Sequence, residues 1–223
     1  EAFNQAERFR VPVMLMMDEV VGHMTEKVVI PPAEKIDVFP RRLTTAKPNG
    51  DFKPFQPDDD LVPPMVHAGM GFNFHVTGLT HDERGYPAMN PETQDRLVRR
   101  LLKKLDAVPH LHEAEGIDGA DVVVVSYGIT SRVAQRAIGL AREKGVKVGK
   151  FRIITAWPCP EQEIRDLAAR VKVFVVPELN LGQMSREVER AAAGQARTIP
   201  VTHAGGSVHR PEQILKAIEE AVR

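Results

Sequence analysis

Between Gly119 and Arg223, apolar runs of strand length alternate with segments of helical period, and this alternation constrains the fold more than any other feature of the chain. Val122 to Val125 is an unbroken run of valine, apolar on both faces, which suits a strand enclosed in a parallel sheet. Ile129, Val133, Ala137 and Leu140 then recur at helical spacing up to Gly145. The stretch Val146 to Ile154 contains the next strand, and Pro160 opens a helix carrying Ile164, Leu167 and Ala168. Val171 to Val176 reads as a third strand, and Gly182 to Ala193 as a helix with Met184, Val188 and Ala191 on its apolar face. Thr198 to Thr202 is a fourth strand, and Pro211 opens the last helix, with Ile214, Leu215, Ile218 and Val222. Strict alternation of this kind predicts an α/β domain, a doubly wound, mostly parallel sheet with helices on both faces.

The first thirty residues read as the end of another α/β domain. Ala2, Phe3, Ala6 and Phe9 fit a short amphipathic helix over residues 1–9. Val13-Met14-Leu15-Met16-Met17 is continuously apolar and predicts a strand buried on both faces. It ends in Asp18-Glu19, polar groups at the strand edge where ligands gather in open α/β sheets. The chain opens at Glu1, without Met and without an N-cap, so it reads as beginning inside a domain.

Residues 31–118 change character. Prolines at 31, 32, 40, 48, 54, 57, 63, 64 and 87 break regular periodicity, as in a linker or functional loop. The alternation of Phe72, Phe74 and Val76 within Val66 to Leu79 suggests one extended piece. Asn90-Pro91 then starts a helix, with Asn as cap and Pro in the first turn. Leu97, Leu101, Leu102 and Leu105 form its expected apolar stripe, and Arg96, Arg99, Arg100, Lys103 and Lys104 its expected solvated face. A polar linker from Pro109 to Asp118 follows. The expected organisation is therefore 1–30, 31–118 and 119–223.

Composition narrows the function classes. The chain has 223 residues, with 30 basic and 30 acidic side chains, so it has no general electrostatic case for nucleic acid or an anionic membrane. A single cysteine, Cys159, excludes an internal disulfide framework and cannot alone hold a metal cluster. No apolar run reaches about 18 residues, so no membrane helix is expected. A cytoplasmic, reducing compartment is the default expectation.

Three constellations could carry chemistry. Ser126-Tyr127-Gly128-Ile129-Thr130-Ser131 joins a strand to a helix whose first amides could hold an anion, although a plain capped turn fits as well. The GxGxxG pattern of a dinucleotide site is missing. Glu178 ends a strand in Pro177-Glu178-Leu179-Asn180, where its carboxylate could meet a neighbouring subunit or cap the next helix. His75, His81, Asp82, Glu83 and Arg84 are the densest titratable cluster, but their spacing matches no metal motif, so no metal site is expected. Cys159, between Pro158 and Pro160, lacks an activating base nearby in sequence. His110 and His112 read as solvated, and His203 and His209 as loop residues.

Together these segments resemble a known family. Glu1-Ala2-Phe3-Asn4, Val11-Pro12-Val13 and Asp18-Glu19-Val20-Val21-Gly22-His23-Met24 look like the α subunit of 2-oxoacid:ferredoxin oxidoreductases. Gly78-Leu79-Thr80-His81-Asp82-Glu83-Arg84-Gly85 is similar to a segment of the 2-oxoglutarate branch. Val122 to Gly128, Trp157-Pro158, Val176 to Asn180 and Gly205-Gly206 resemble its transketolase C-terminal-like domain. The resemblance implies a thiamine diphosphate enzyme that oxidatively decarboxylates a 2-oxoacid, forms acyl-coenzyme A and reduces ferredoxin. It also implies a β subunit supplying the diphosphate and Mg2+ site and a [4Fe–4S] cluster. In that frame residues 1–30 are the terminal strands of the thiamine-pyrimidine-type domain.

The resemblance implies that the family's Arg- and Gly-rich substrate segment and its activating glutamate lie upstream of Glu1, in an upstream part of the α subunit that would be a partner of this segment, so it assigns no catalytic residue here. The expected active-site or interface residues are Asp18, Glu19 and His23, then His81, Asp82, Glu83 and Arg84; Glu178 and Asn180 are the expected subunit contacts. Two other classes stay open: a non-catalytic assembly or regulatory module built from the same domain, and a phosphate or nucleotide binder using the turn from Gly128 to Ser131.

Overall fold

The computed structural model describes residues 1–48 and 52–223, and the chain forms two compact units. The first comprises residues 1–16 and 26–108; the second comprises residues 17–25 and 109–223.

The second unit is the predicted α/β domain. Its elements are α2 (Glu19–His23), β1 (His112–Glu115), β2 (Val122–Ser126), α4 (Thr130–Glu143), β3 (Val148–Ile153), α5 (Glu161–Ala168), β4 (Val173–Glu178), α6 (Gln183–Ala192), β5 (Arg197–Thr202) and α7 (Pro211–Ala221). The sheet order is β1-β3-β2-β4-β5. All pairs are parallel except β1 with β3, where His112 opposes Ile153. Alternate valines of β2 point to opposite faces. Val122 and Val124 join Ala134, Ile138, Ile214 and Ile218 beneath α4 and α7. Val123 and Val125 join Ile164, Leu167, Val188 and Ala191 beneath α5 and α6. Each such buried valine contributes about 1.5–3 kcal/mol of transfer free energy, and only the last residue of the strand, Ser126, is polar.

The stretch read as a polar linker, Pro109 to Asp118, contains the edge strand β1. Its four residues, His-Glu-Ala-Glu, are all exposed, so no hydrophobic alternation marks it. It exists because β3 offers an unpaired edge. Trp157-Pro158, after β3, is a cis peptide.

The first unit holds α1 (Ala2–Phe9), a 3-10 turn (Ala33–Lys35) and α3 (Pro91–Leu105). Asn90 caps α3 as expected, its side-chain oxygen accepting from the Thr93 amide at 2.9 Å. Two expectations fail in this unit. Val13–Met17 forms no strand, and Met14 and Met16 are each 83% exposed. A strand needs a hydrogen-bonded neighbour, and none of the described residues pairs with this one. Val66–Leu79, read only as one extended piece, joins no sheet; its alternation turns Phe72 and Phe74 toward Phe52, at ring separations of 4.7 and 6.2 Å. On α3 the expected faces are partly reversed. Leu102 is exposed, whereas Lys104 is buried and Arg100 half-buried.

Candidate functional site at the strand switch point

β2 and β4 are neighbours in the sheet, yet the chain leaves them in opposite directions. After β2 it enters α4 on one face, and after β4 it enters α6 on the other. The carboxyl ends of the two strands are therefore a topological switch point, the place where open α/β sheets bind their ligands. Tyr127 and Gly128 follow β2 there, and Glu178, Asn180 and Leu181 end or follow β4.

Glu178 is wholly buried at the end of β4. One carboxylate oxygen accepts from the Met184 amide at 2.9 Å and from the Tyr127 hydroxyl at 3.2 Å. The other accepts from the Ser185 amide at 2.9 Å. Asn180 completes the arrangement: its side-chain oxygen accepts from the Gly182 and Gln183 amides, and its amide donates to the Tyr127 hydroxyl at 2.8 Å. The four amides from Gly182 to Ser185, which have no partners within helix α6, are thus all satisfied by two side chains. Both oxygens of Glu178 are engaged in capping, and a carboxylate is well placed at the positive end of a helix. Burial, followed by the charge of Glu178, pushes the Tyr127 phenol up to about 12. The phenol therefore keeps its proton at neutral pH and donates it to the carboxylate.

Asp18 occupies the equivalent place on α4. Its carboxylate accepts from the Ile129 amide at 2.7 Å. Gly128, at φ 53°, has no side chain because a Cβ there would lie 2.2 Å from the same carboxylate oxygen. The anion position at the start of α4 is therefore filled by the chain's own carboxylate.

The remaining expected residues fall into two groups. Glu19 and His23 lie on α2 beyond Asp18 and pair with one another at 2.9 Å in solvent. His81, Asp82, Glu83 and Arg84 lie in the first unit, on a tight turn that satisfies itself. The buried His81 ring is held by Thr77 at 2.6 Å and by the Gly85 carbonyl at 2.9 Å. Asp82 accepts from the Arg84 and Tyr86 amides, and the Arg84 guanidinium holds its carboxyl below the usual range. Glu83 faces Arg96 at 3.5 Å. Cys159 is buried, and burial pushes its thiol up to about 11, so it is no nucleophile.

The role of Tyr127 escaped the sequence reading; its only signal was a hydroxyl-bearing aromatic directly after a buried strand. An open cleft of about 390 Å³, lined by Glu115, Gly119, Arg142 and Lys147, lies at the amino ends of the strands, away from the switch point. Among the described residues no group of three or more His, Cys, Asp or Glu is placed to hold a metal ion, and no helix is long and apolar enough to cross a membrane.

Comparison with known proteins follows this architecture. Residues 1–100 match the family profile described as "Pyruvate flavodoxin/ferredoxin oxidoreductase, thiamine diP-bdg". Residues 120–214 match the one described as "Pyruvate:ferredoxin oxidoreductase core domain II". The chain is 47% identical, over 97% of its length, to the 2-oxoglutarate synthase subunit KorA of Methanothermobacter thermautotrophicus.

The chain belongs to the 2-oxoacid:ferredoxin oxidoreductase family.

It is also 45% identical to the KorA subunit of Methanocaldococcus jannaschii, again over 97% of its length. It covers 58% of each of these two family members, so it spans somewhat more than half of their length. Among solved structures of the family it resembles the 2-oxoglutarate:ferredoxin oxidoreductase from Magnetococcus marinus, a structure with 2-oxoglutarate, coenzyme A and succinyl-CoA bound. That match has a TM-score of 0.77 and 28% identity, and covers 86% of this chain and 34% of the other. Within the family frame, the core domain II profile runs from just before β2 into α7, so it contains the whole Glu178–Tyr127–Asn180 network.

Proposed function

We propose that this chain works as part of the α-type subunit of a 2-oxoglutarate:ferredoxin oxidoreductase. The whole enzyme oxidatively decarboxylates 2-oxoglutarate, joins the resulting succinyl group to coenzyme A and passes electrons to ferredoxin. The observation that carries this reading is the 45–47% identity to KorA subunits across nearly the full chain. The bound 2-oxoglutarate and coenzyme A in the Magnetococcus marinus relative support the same substrate pair.

Thiamine diphosphate, when bound, supplies the carbanion chemistry of such a decarboxylation. The residues present here do not fit its diphosphate end. No metal-ligand group converges among the described residues, and Asp18 fills the anion position at α4 with negative charge. We therefore assign the diphosphate, its Mg2+ and the [4Fe–4S] cluster to a β-type partner subunit. In this reading Asp18, Glu19 and His23 border the active site or a subunit interface, as does the turn from His81 to Arg84. Asn180 and the exposed Leu181 face a partner, while Glu178 acts behind them by holding their loop.

The test is to isolate the protein anaerobically with its copurifying chains, identify those chains by intact mass, and assay dye reduction. Reduction that requires both 2-oxoglutarate and coenzyme A, with thiamine in the extract, is the expected result. No reduction with any common 2-oxoacid and no thiamine would leave the assembly-module alternative standing.

A further inference from the structure

The faces of α3 that the sequence assigned to solvent carry an unexpected cluster. Lys104 is 2% exposed, and its ammonium donates only to the Arg10 carbonyl, at 3.1 Å. The Arg10 guanidinium reaches the carbonyls of Pro54, Pro63 and Pro64 at 3.1, 3.3 and 3.3 Å, all through Nη1. Arg100, one turn before Lys104 on α3, reaches the Leu61 carbonyl at 3.0 Å, also through Nη1. Two guanidinium groups thus close on the same four-residue segment, Leu61 to Pro64, and the ammonium lies at the backbone of one of them.

None of the three has a carboxylate partner among the described residues. The nearby Asp60 is paired with Arg42 at 2.7 Å, and Asp58 faces Arg42 at 3.6 Å. Among the described residues Nε and Nη2 of both Arg10 and Arg100 have no hydrogen-bond acceptor, and both side chains are half-buried. Cations withdrawn from water without a counter-charge are strongly disfavoured, and chain carbonyls neutralise none of the charge.

We infer that Arg10, Arg100 and Lys104 form a binding site for a phosphate group. Two guanidinium forks whose Nη2 atoms find no acceptor among the described residues, and an ammonium one helical turn from Arg100 and bonded to the Arg10 carbonyl, suit a tetrahedral dianion; a single planar carboxylate would be saturated by one fork. The crowding of cations acts on Lys104 itself. Burial, then the charges of Arg100 and Arg10, pull Lys104 down to about 8, against a smaller opposing pull from Asp60. Burial likewise lowers Arg10 and Arg100.

The site lies on residues that no part of the proposed decarboxylation uses, so it stands or falls separately from that reading. The experiment is calorimetric titration of the purified protein, with its copurifying chains, at pH 8 and constant ionic strength. The probes are inorganic phosphate and glycerol 3-phosphate, with chloride as the control. Tight binding of both assigns the site to any phosphate group; preference for the monoester assigns it to a ligand-borne one. Binding is expected to take up protons, because a dianion restores the charge on Lys104. Repeating the titration in buffers of different ionisation enthalpy reads that uptake. Arg100→Gln is expected to weaken binding by about tenfold or more, and Lys104→Met to abolish the proton uptake. Arg100→Lys, which keeps the charge but loses the fork, is the second variant should Arg100→Gln not fold. No saturable binding at millimolar phosphate, or binding unchanged in these variants, overturns the inference.

Discussion

Asp18 and Ile129, 111 positions apart in sequence, are joined by a 2.7 Å hydrogen bond from the Ile129 amide to the Asp18 carboxylate. The bond fastens the short segment that carries Asp18 to the start of α4, and Gly128 leaves the room for it. Asp18→Ala should lower stability by about 1 kcal/mol, the usual effect of losing a helix cap. Gly128→Ala should cost about 2–3 kcal/mol, because it combines left-handed backbone strain with eviction of the carboxylate. Urea unfolding of the single and double variants tests the contact. The double variant should lose less than the sum of the singles, and strict additivity would refute the contact.

The Glu178 carboxylate is expected to be irreplaceable even by its neutral isostere. A glutamine can offer one oxygen, but its amide nitrogen would face a backbone donor or the Tyr127 hydroxyl in a fully buried site. Glu178→Gln should cost about 2–3 kcal/mol. Tyr127→Phe and Asn180→Ala should each cost about 1 kcal/mol and couple by a similar amount, since each removes the other's partner. Thermal unfolding of the four-member cycle measures this.

Lys104 predicts a pH dependence of definite sign. Its ordinary value of 10.5 falls to about 8 in the folded chain, so folding disfavours its charged form. The penalty is fully present below about pH 8 and is relieved as pH rises toward 10.5, where the unfolded chain also loses the proton. In phosphate-free buffer Lys104→Met should therefore be more stable than the native protein at pH 7, by about 1–3 kcal/mol. The advantage should shrink between pH 8 and pH 10.5. Urea midpoints at the two ends of that window check it, and a constant difference would contradict the assignment.

The exposed apolar run Val13–Met17 should behave as an interface segment. Its backbone amides should exchange with deuterium rapidly in the chain alone and slowly in the assembled complex. Equal exchange in both states would show that no partner covers it.

Most of the second unit was readable from the residues in order. The four valines of β2 form an unbroken apolar run, the helices show their period, and Pro160 and Pro211 stand at helix starts. These are local signals, carried by neighbours in sequence. β1 was not readable, because an exposed edge strand has no pattern of its own and is defined only by the partner that accepts its hydrogen bonds. The site was half readable. Asp18, Glu178 and Asn180 were singled out as polar groups beside strand ends, and capping was already one of the two readings of Glu178. That Tyr127 links Glu178 to Asn180 depends on β2 and β4 being neighbours, a relationship between positions about fifty residues apart.

By itself, then, the sequence determined the architecture of the second unit and the family, because both rest on residue types in a fixed order. The tertiary structure decided which charges are spent internally. Glu178 and Asp18 cap helices rather than standing open, and Arg100 and Lys104 turn inward from a helix face that looked solvated. Helical period specifies which residues share a face but not what that face meets, and only the packed chain supplied the Leu61 and Arg10 carbonyls that accept from Arg100 and Lys104.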